Sequence, residues 1–340
     1  MSLSIFYIGT LWEGSTTLER MRTLDHLGHT MIPFDTTPFD RMASRLFRSI
    51  AYRLHIGPIP QSLNRALMEK AKELKGISHI WVDKGVWVYP ETLFYLKQVT
   101  GAMAIHYTPD AQLLSQRSRH FVSCLPIYDV LVTTKEWEIE FYKKAGARNI
   151  LLTYQGHDDR FYPRIIPESE FSLYASDVCF VGHTQKHYAD RLMSISGLGI
   201  SLRVWGDAWP NYIKNKAWAK SLIVDKGLWG ESYPKALSCA KIGLGLLGKH
   251  IPETSTTRTF EIPAMGTFLL AERTQIHQVL FDEGKEAEYF SSDEEMLDKI
   301  RYYLVHDSER EKIALAGRIR CERSGYSSSE LLRKVIAGFA

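Results

Sequence analysis

The sequence is short of cysteine, of long apolar runs and of one-sided charge, and each shortage removes a class of function. Four cysteines in 340 residues, at 124, 179, 239 and 321, include no C-x-x-C pair. That argues against a zinc ribbon or a disulfide scaffold and leaves buried free thiols as the expectation. No apolar run approaches the ~20 residues that a bilayer-spanning helix needs, and no basic leader precedes the apolar run Leu3 to Ile8, so a cytoplasmic location is expected. Lys and Arg number 42 against 39 Asp and Glu, a formal charge of +3, which is too mild for a nucleic-acid surface. The first glycine turn reads Gly9-Thr-Leu-Trp-Glu-Gly14. It lacks the G-x-G-x-x-G spacing and disfavours a nicotinamide dinucleotide. Internal repeats and low-complexity segments are also missing.

What remains is an ordinary globular composition, 45% hydrophobic and 24% charged, at a length that predicts two domains of about 150 to 170 residues. Short apolar runs alternate with amphipathic ones. Strand candidates at Leu3 to Ile8, Thr30 to Phe34, His79 to Asp83, Met103 to Tyr107, Tyr128 to Lys135 and Asn149 to Thr153 are separated by helical patterns such as Ser15 to Leu27 and Pro60 to Leu74. That alternation predicts a doubly wound parallel sheet. The pattern resumes with Ser176 to Val181, Leu202 to Trp205, Lys241 to Leu247 and Thr267 to Ala271. The expected domains are 1–165 and 166–325, with a hinge near 156 to 172 and a closing amphipathic helix, 326–340, packing back on the first.

Residues 253 to 270 concentrate the chemistry: Glu253-Thr-Ser-Thr-Thr-Arg258-Thr-Phe260-Glu261-Ile-Pro263-Ala-Met-Gly266-Thr-Phe-Leu-Leu270. The segment reads as loop, one helical turn and strand, with hydroxyls and the Arg258 cation gathered where an anion would be stabilised. A guanidinium fork suits phosphate oxygens, and a carboxylate accepts from both hydroxyls of a ribose. Arg258 and Glu261 together suit a nucleotide diphosphate; the alternative is a helix cap with a surface ion pair.

Other candidates sit at strand ends, where open parallel sheets bind ligands. Gly182, His183 and Thr184 follow a buried-strand pattern and precede a helix, a credible phosphate site or a plain tight turn. Gly206, Trp209 and Tyr233 could enclose a base or pack a core. In the first half, Asp83, Lys84, His106 and Asp110 end strands, and His106 or Asp110 could polarise an acceptor hydroxyl. Gly9 would let a ligand approach the backbone. Asp158-Asp159 reads as a linker turn between Gly156 and Pro163 rather than a magnesium site. Arg41, Arg45, Arg48 and Arg53 interleave with Leu46, Phe47, Ile50 and Leu54 at helical spacing, giving a solvated helix face or a surface for an acidic acceptor or membrane.

Arg258-Thr-Phe260-Glu261-Ile-Pro-Ala264-Met-Gly266, followed by Gly284-Lys-Glu286-Ala-Glu-Tyr289-Phe290, resembles the C-terminal half of the CgeB-like glycosyltransferases. The resemblance extends to Tyr7 to Gly14, to His106-Tyr-Thr-Pro-Asp110 and to Phe180-Val-Gly-His183. It implies GT-B architecture, two Rossmann-like domains facing across a cleft, and a sugar nucleotide, most simply a UDP-sugar, as donor substrate with no further cofactor and no metal. By resemblance Glu261 holds the ribose, Gly182, His183 and Thr184 lie against the phosphates, and Gly9, Thr10 and Trp12 face the acceptor. Glu253 falls where retaining GT-B enzymes place a glutamate toward the donor sugar, although their glycine-rich run is here Glu253-Thr-Ser-Thr. The expected activity is transfer of a hexosyl group to an unidentified acceptor; an epimerase of the same fold, or a non-catalytic nucleotide-sugar binder, is the alternative.

Overall fold

A computed structural model describes residues 2–41, 44–114, 118–161, 163, 166–209, 212, 223–224, 227–228 and 230–339. The chain divides into two compact units, one comprising Met1–Tyr154 with Ser328–Ala340, the other Gln155–Ser327. The passage expected near 156 to 172 is therefore packed with the second unit, and the closing helix with the first.

The first unit holds β1 (Ser4–Gly9), β2 (Thr30–Asp35), β3 (His79–Asp83), β4 (Met103–Thr108), β5 (Val130–Thr133) and β6 (Ile150–Leu152). They form one parallel sheet in the order β2-β1-β3-β4-β5-β6. Alternation along each strand sorts side chains to two faces. Phe6, Ile8, Ile80, Val82 and Ala104 meet the helices Pro58–Ala71 and Pro90–Thr100 on one side. Ile5, Tyr7, Trp81, Ile105 and Val132 meet Leu24 of the helix Thr16–His26 and Leu332 and Val335 of the helix Ser328–Ala337 on the other. Burial on both faces accounts for the near-continuous apolar strands. Ser15 caps the first helix by accepting from the Leu18 amide, and Gly101, in the left-handed region, ends the helix Pro90–Thr100.

In the second unit β7 (Ser176–Val181), β8 (Leu202–Trp205), β9 (Ile223–Val224), β10 (Ala240–Gly245), β11 (Phe268–Glu272) and β12 (Glu288–Phe290) make a second parallel sheet. Its order is β12-β11-β10-β7-β8-β9. Val178, Phe180, Ile242, Leu244 and Leu270 carry its core against the helices Lys186–Ser196, Asp293–Val305 and Asp307–Ser324. The order reverses between β1 and β3 in the first sheet and between β7 and β10 in the second, and each reversal opens a crevice beyond the strands' carboxyl ends. All four cysteines are free and buried. No described helix is long and apolar enough to cross a membrane.

Candidate functional site

The reversal in the second sheet is occupied by Arg258, the first residue of the short helix Arg258–Ala264. Its Nη1 donates to the Val181 carbonyl at 3.2 Å and its Nη2 to the Leu246 carbonyl at 2.7 Å. These carbonyls lie at the carboxyl ends of β7 and β10, so one guanidinium ties the two strands together where their connections diverge. The group rests over the Phe180 ring, 5.2 Å from its centroid. Its Nε is buried without a hydrogen-bond partner, and among the described residues no carboxylate pairs with it. A cation held by neutral carbonyls keeps its charge for an incoming anion.

Gly182, one residue beyond β7, gives this cation room: a Cβ there would come within 2.7 Å of Arg258 Nη1 and 2.9 Å of Phe180 Cζ. The Gly182 amide donates to the Trp205 carbonyl at 2.9 Å, and its own carbonyl accepts from Trp209 Nε1 at 2.9 Å. Gly206 is small for the same reason, since a Cβ there would strike the Gly182 carbonyl. Trp209 has no exposed surface and stands edge-on to Phe180; it braces the turn from within the core, as one of its two sequence readings allowed. His183 is exposed, and Thr184 reaches the Asp207 carbonyl at 3.4 Å.

Glu261 lies one helical turn beyond Arg258. Tyr233 donates its hydroxyl to Glu261 Oε2 at 2.5 Å, and Phe161 packs edge-on against Tyr233 with centroids 5.3 Å apart. Burial pushes the Glu261 carboxyl up to about 7, against the opposing pull of the Tyr233 bond, the Arg258 charge and a Thr257 bond. Glu261 is thus poised between its neutral and anionic forms near neutrality. Gly266, at φ 72°, ends this segment and turns the chain into β11.

Glu253 anchors the loop after β10. Its Oε2 accepts from the Gly248 amide at 2.6 Å, and a Cβ at Gly248 would lie 2.8 Å from that oxygen and 3.3 Å from Gln185 Nε2. Gly248 thus leaves room between the Glu253 carboxylate and Gln185, the N-cap of the helix Lys186–Ser196, whose side chain makes no capping bond. Two supports went unread in the sequence. Glu272, at the end of β11, accepts from the Leu247 amide at 2.8 Å and pairs with Arg191 at 2.8 Å, fixing the strand end that Arg258 grips. Thr259 and His277 share a buried bond of 2.9 Å behind the helix. Nothing in their spacing, 18 residues apart, announces it.

In the first unit His106 is wholly buried. Its Nε2 donates to the Lys84 carbonyl at 2.9 Å, its Nδ1 lacks a partner, and Phe121 and Tyr128 flank the ring. Burial lowers its pKa to about 4, outweighing the carbonyl bond; the ring is neutral at pH 7 and touches no solvent. Lys84, at φ 67°, sends Nζ to Asp110 at 2.8 Å, with both side chains about a third exposed. The helix after Asp110, Arg119–Cys124, is capped by Ser118. Gly9 is close-packed, its Cβ position overlapping Thr17, while Thr10 meets Thr36 at 3.2 Å and Trp12 is 37% exposed. Asp83 is buried and accepts from Arg20 at 3.0 Å, Tyr7 at 2.8 Å and Thr17 at 3.2 Å. Asp158, in the second unit, takes the Arg160 guanidinium and amide in a turn.

Residues 185–337 match the model of a family described as glycosyl transferase-like. No curated protein matches the sequence. Solved structures of similar fold include a glycosyltransferase from Rickettsia africae ESF-5, 13% identical with a TM-score of 0.67, covering 99% of this chain and 97% of that one. HepE of Anabaena in complex with UDP-glucose is 12% identical at TM-score 0.65, with 98% of each chain covered. Sucrose-phosphate synthase from Thermosynechococcus elongatus is 12% identical at 0.69, covering 98% of this chain and 99% of that one. At such identities the likeness speaks for fold, and the fold is GT-B: two α/β units, each built on a parallel sheet.

Proposed function

We propose that the protein is a cytoplasmic, metal-independent glycosyltransferase of the CgeB-like kind, taking a UDP-sugar as donor and passing its hexosyl group to an acceptor on the first unit's side. The observation that carries this reading is Arg258, a guanidinium at the strand-order reversal that donates to two carbonyls, has a buried, unpaired Nε and, among the described residues, no carboxylate bonded to it. The glycosyl transferase-like match spans that segment, and the similar HepE structure contains UDP-glucose.

In this reading Glu261, oriented by Tyr233, accepts from the ribose hydroxyls. Arg258, with the backbone amides near His183 and Thr184, stabilises the charge that builds on the departing diphosphate, and Gly182 lets it come close. Preorganised donors of that kind, in a site that excludes water, are worth about 3 to 4 kcal/mol each. Glu253, on its loop beside Gln185, faces the donor sugar, and Asp110, held by Lys84, is the acceptor-side carboxylate. Gly206 and Trp209 shape the turn beneath the nucleotide, and Gly9, Thr10 and Trp12 line the acceptor side.

Thermal melting with UDP, UDP-sugars and the corresponding GDP, dTDP and CDP compounds tests the donor, because a ligand that binds only the native state raises its melting temperature. UDP compounds should give the largest shift, unchanged by chelator. The reading fails if no nucleotide diphosphate shifts the melt at millimolar concentration. NMR of the UDP-sugar with protein alone then separates activities: a transferase hydrolyses it slowly, an epimerase interconverts it, and a binder leaves it intact.

A further inference from the structure

The helix Arg45–Leu54 in the first unit lies on the protein by one edge. Ala51 is fully buried, and its carbonyl accepts from Trp87 Nε1 at 3.0 Å. Leu46, Ile50 and Leu54 recur every four residues, with Phe47 beside Leu54 on the helical wheel. That stripe is not absorbed into the core. Leu46 is 67% exposed, Phe47 44% and Leu54 61%, and Ile56 just past the helix is 51% exposed. Ser44 caps the start through the Phe47 amide, and His55, in the left-handed region, ends the helix, so this is a defined ten-residue element.

Charge gives the patch its partner. Arg45 and Arg48 lie on the opposite arc of the helix, Arg53 flanks Leu46, and Arg41 ends the preceding helix. All four are exposed, and among the described residues none is paired with a carboxylate. A solvated helix that only needed solubility would not display large apolar side chains, and cations of one sign beside and behind them select a partner that is anionic. An apolar arc backed by an arginine arc matches a surface whose outside is anionic and whose interior, a few ångströms down, is hydrocarbon.

We infer that the helix Arg45–Leu54 docks the first unit on an anionic lipid bilayer, lying in the interface with Leu46, Phe47, Leu54 and Ile56 in the acyl boundary and the arginines at the headgroups. The attachment is peripheral, reversible and weakened by salt. It does not depend on the donor-site reading.

Flotation of the full-length protein with phosphatidylglycerol and phosphatidylcholine vesicles tests this. Binding should be strong to phosphatidylglycerol, slight to phosphatidylcholine, and reduced by high salt. Arg45→Gln with Arg48→Gln should weaken binding about 25-fold, since each cation near such a surface contributes about fivefold. Leu46→Ser with Phe47→Ser should also abolish most of it, although no charge changes. These side chains are exposed, so both variants should keep the parent's melting temperature and its UDP response, which separates loss of docking from loss of fold or donor site. The inference is overturned if the serine variant binds as the parent does, because adsorption would then be electrostatic only. It is equally overturned if the parent ignores phosphatidylglycerol, or if light scattering shows the patch pairing two copies and the serine variant becoming a monomer.

Discussion

Arg20 in the first unit and Arg258 in the second occupy corresponding places. Each stands beside the crevice where its sheet reverses order, and each lies over an aromatic ring, Tyr107 at 3.9 Å and Phe180 at 5.2 Å. Their partners differ. Arg20 meets the Asp83 carboxylate, which also takes Tyr7 and Thr17, and burial together with that carboxylate holds the Tyr7 hydroxyl far above its ordinary value. Arg258 meets two carbonyls. The first crevice is thus closed by an internal ion pair, whereas in the second, among the described residues, no carboxylate is bonded to Arg258 and only the nearby Glu261 carboxyl feels its charge. One topology supplies both places, and a single carboxylate decides which becomes scaffold and which can take an anion.

Removing the carboxylate is the harshest way to break this contrast. Asp83→Ala leaves Arg20 buried and unpaired, so urea unfolding should show a loss of about 3 to 5 kcal/mol, with UDP affinity of the folded fraction unchanged. A loss under 1 kcal/mol would mean that the pair holds nothing together. Next in size is Arg258→Ala, which should lower turnover by about 10² to 10³. Donor affinity should fall far less, because the cation matters most as charge develops; equal losses in both would make Arg258 a binding group only.

Glu261→Gln keeps shape but removes an anionic acceptor. Calorimetry should show UDP-sugar binding weakened by about 1.5 to 3 kcal/mol, with inorganic phosphate indifferent; normal UDP-sugar binding would reduce Glu261 to a helix residue. The smallest effect is in pH. With its pKa raised from 4.5 to about 7, the folded state holds this proton more tightly than the unfolded one. Its stabilising contribution is full below pH 4.5 and is lost as pH rises through 7. Ribose binding calls for the anion, so UDP-sugar affinity should fall about tenfold from pH 8 to pH 6, and the Gln variant should show a flat profile.

Much of the fold could be read from the sequence because a parallel sheet buried on both faces leaves uninterrupted apolar words such as Ile5-Phe-Tyr-Ile8. Helix ends moved by a residue or more, as in Pro58–Ala71 where Pro60 to Leu74 was expected. The glycines at 182 and 206 and the Arg258–Glu261 turn stood out because their types and spacing are local. The pairings that give them meaning are not local. Tyr233 reaches Glu261 across 28 residues and Arg20 reaches Asp83 across 63, and only strand order brings such partners together. Burial was equally hidden: His106 ends a strand in the sequence as a catalytic base would, yet its strand is central and the ring is sealed between Phe121 and Tyr128.

The helix Ser328–Ala337 packs on the first unit, against the helix Thr16–His26 and the strand face carrying Tyr7 and Trp81. Gln155–Ser327 is therefore an insertion within that unit, and this sets a timetable during synthesis. The inserted unit is contiguous and can close as soon as it leaves the ribosome. The unit begun first must wait with one apolar face open until residues beyond 327 emerge, roughly 10 to 35 s later at ordinary elongation rates. The unit that begins first is thus the last to become native.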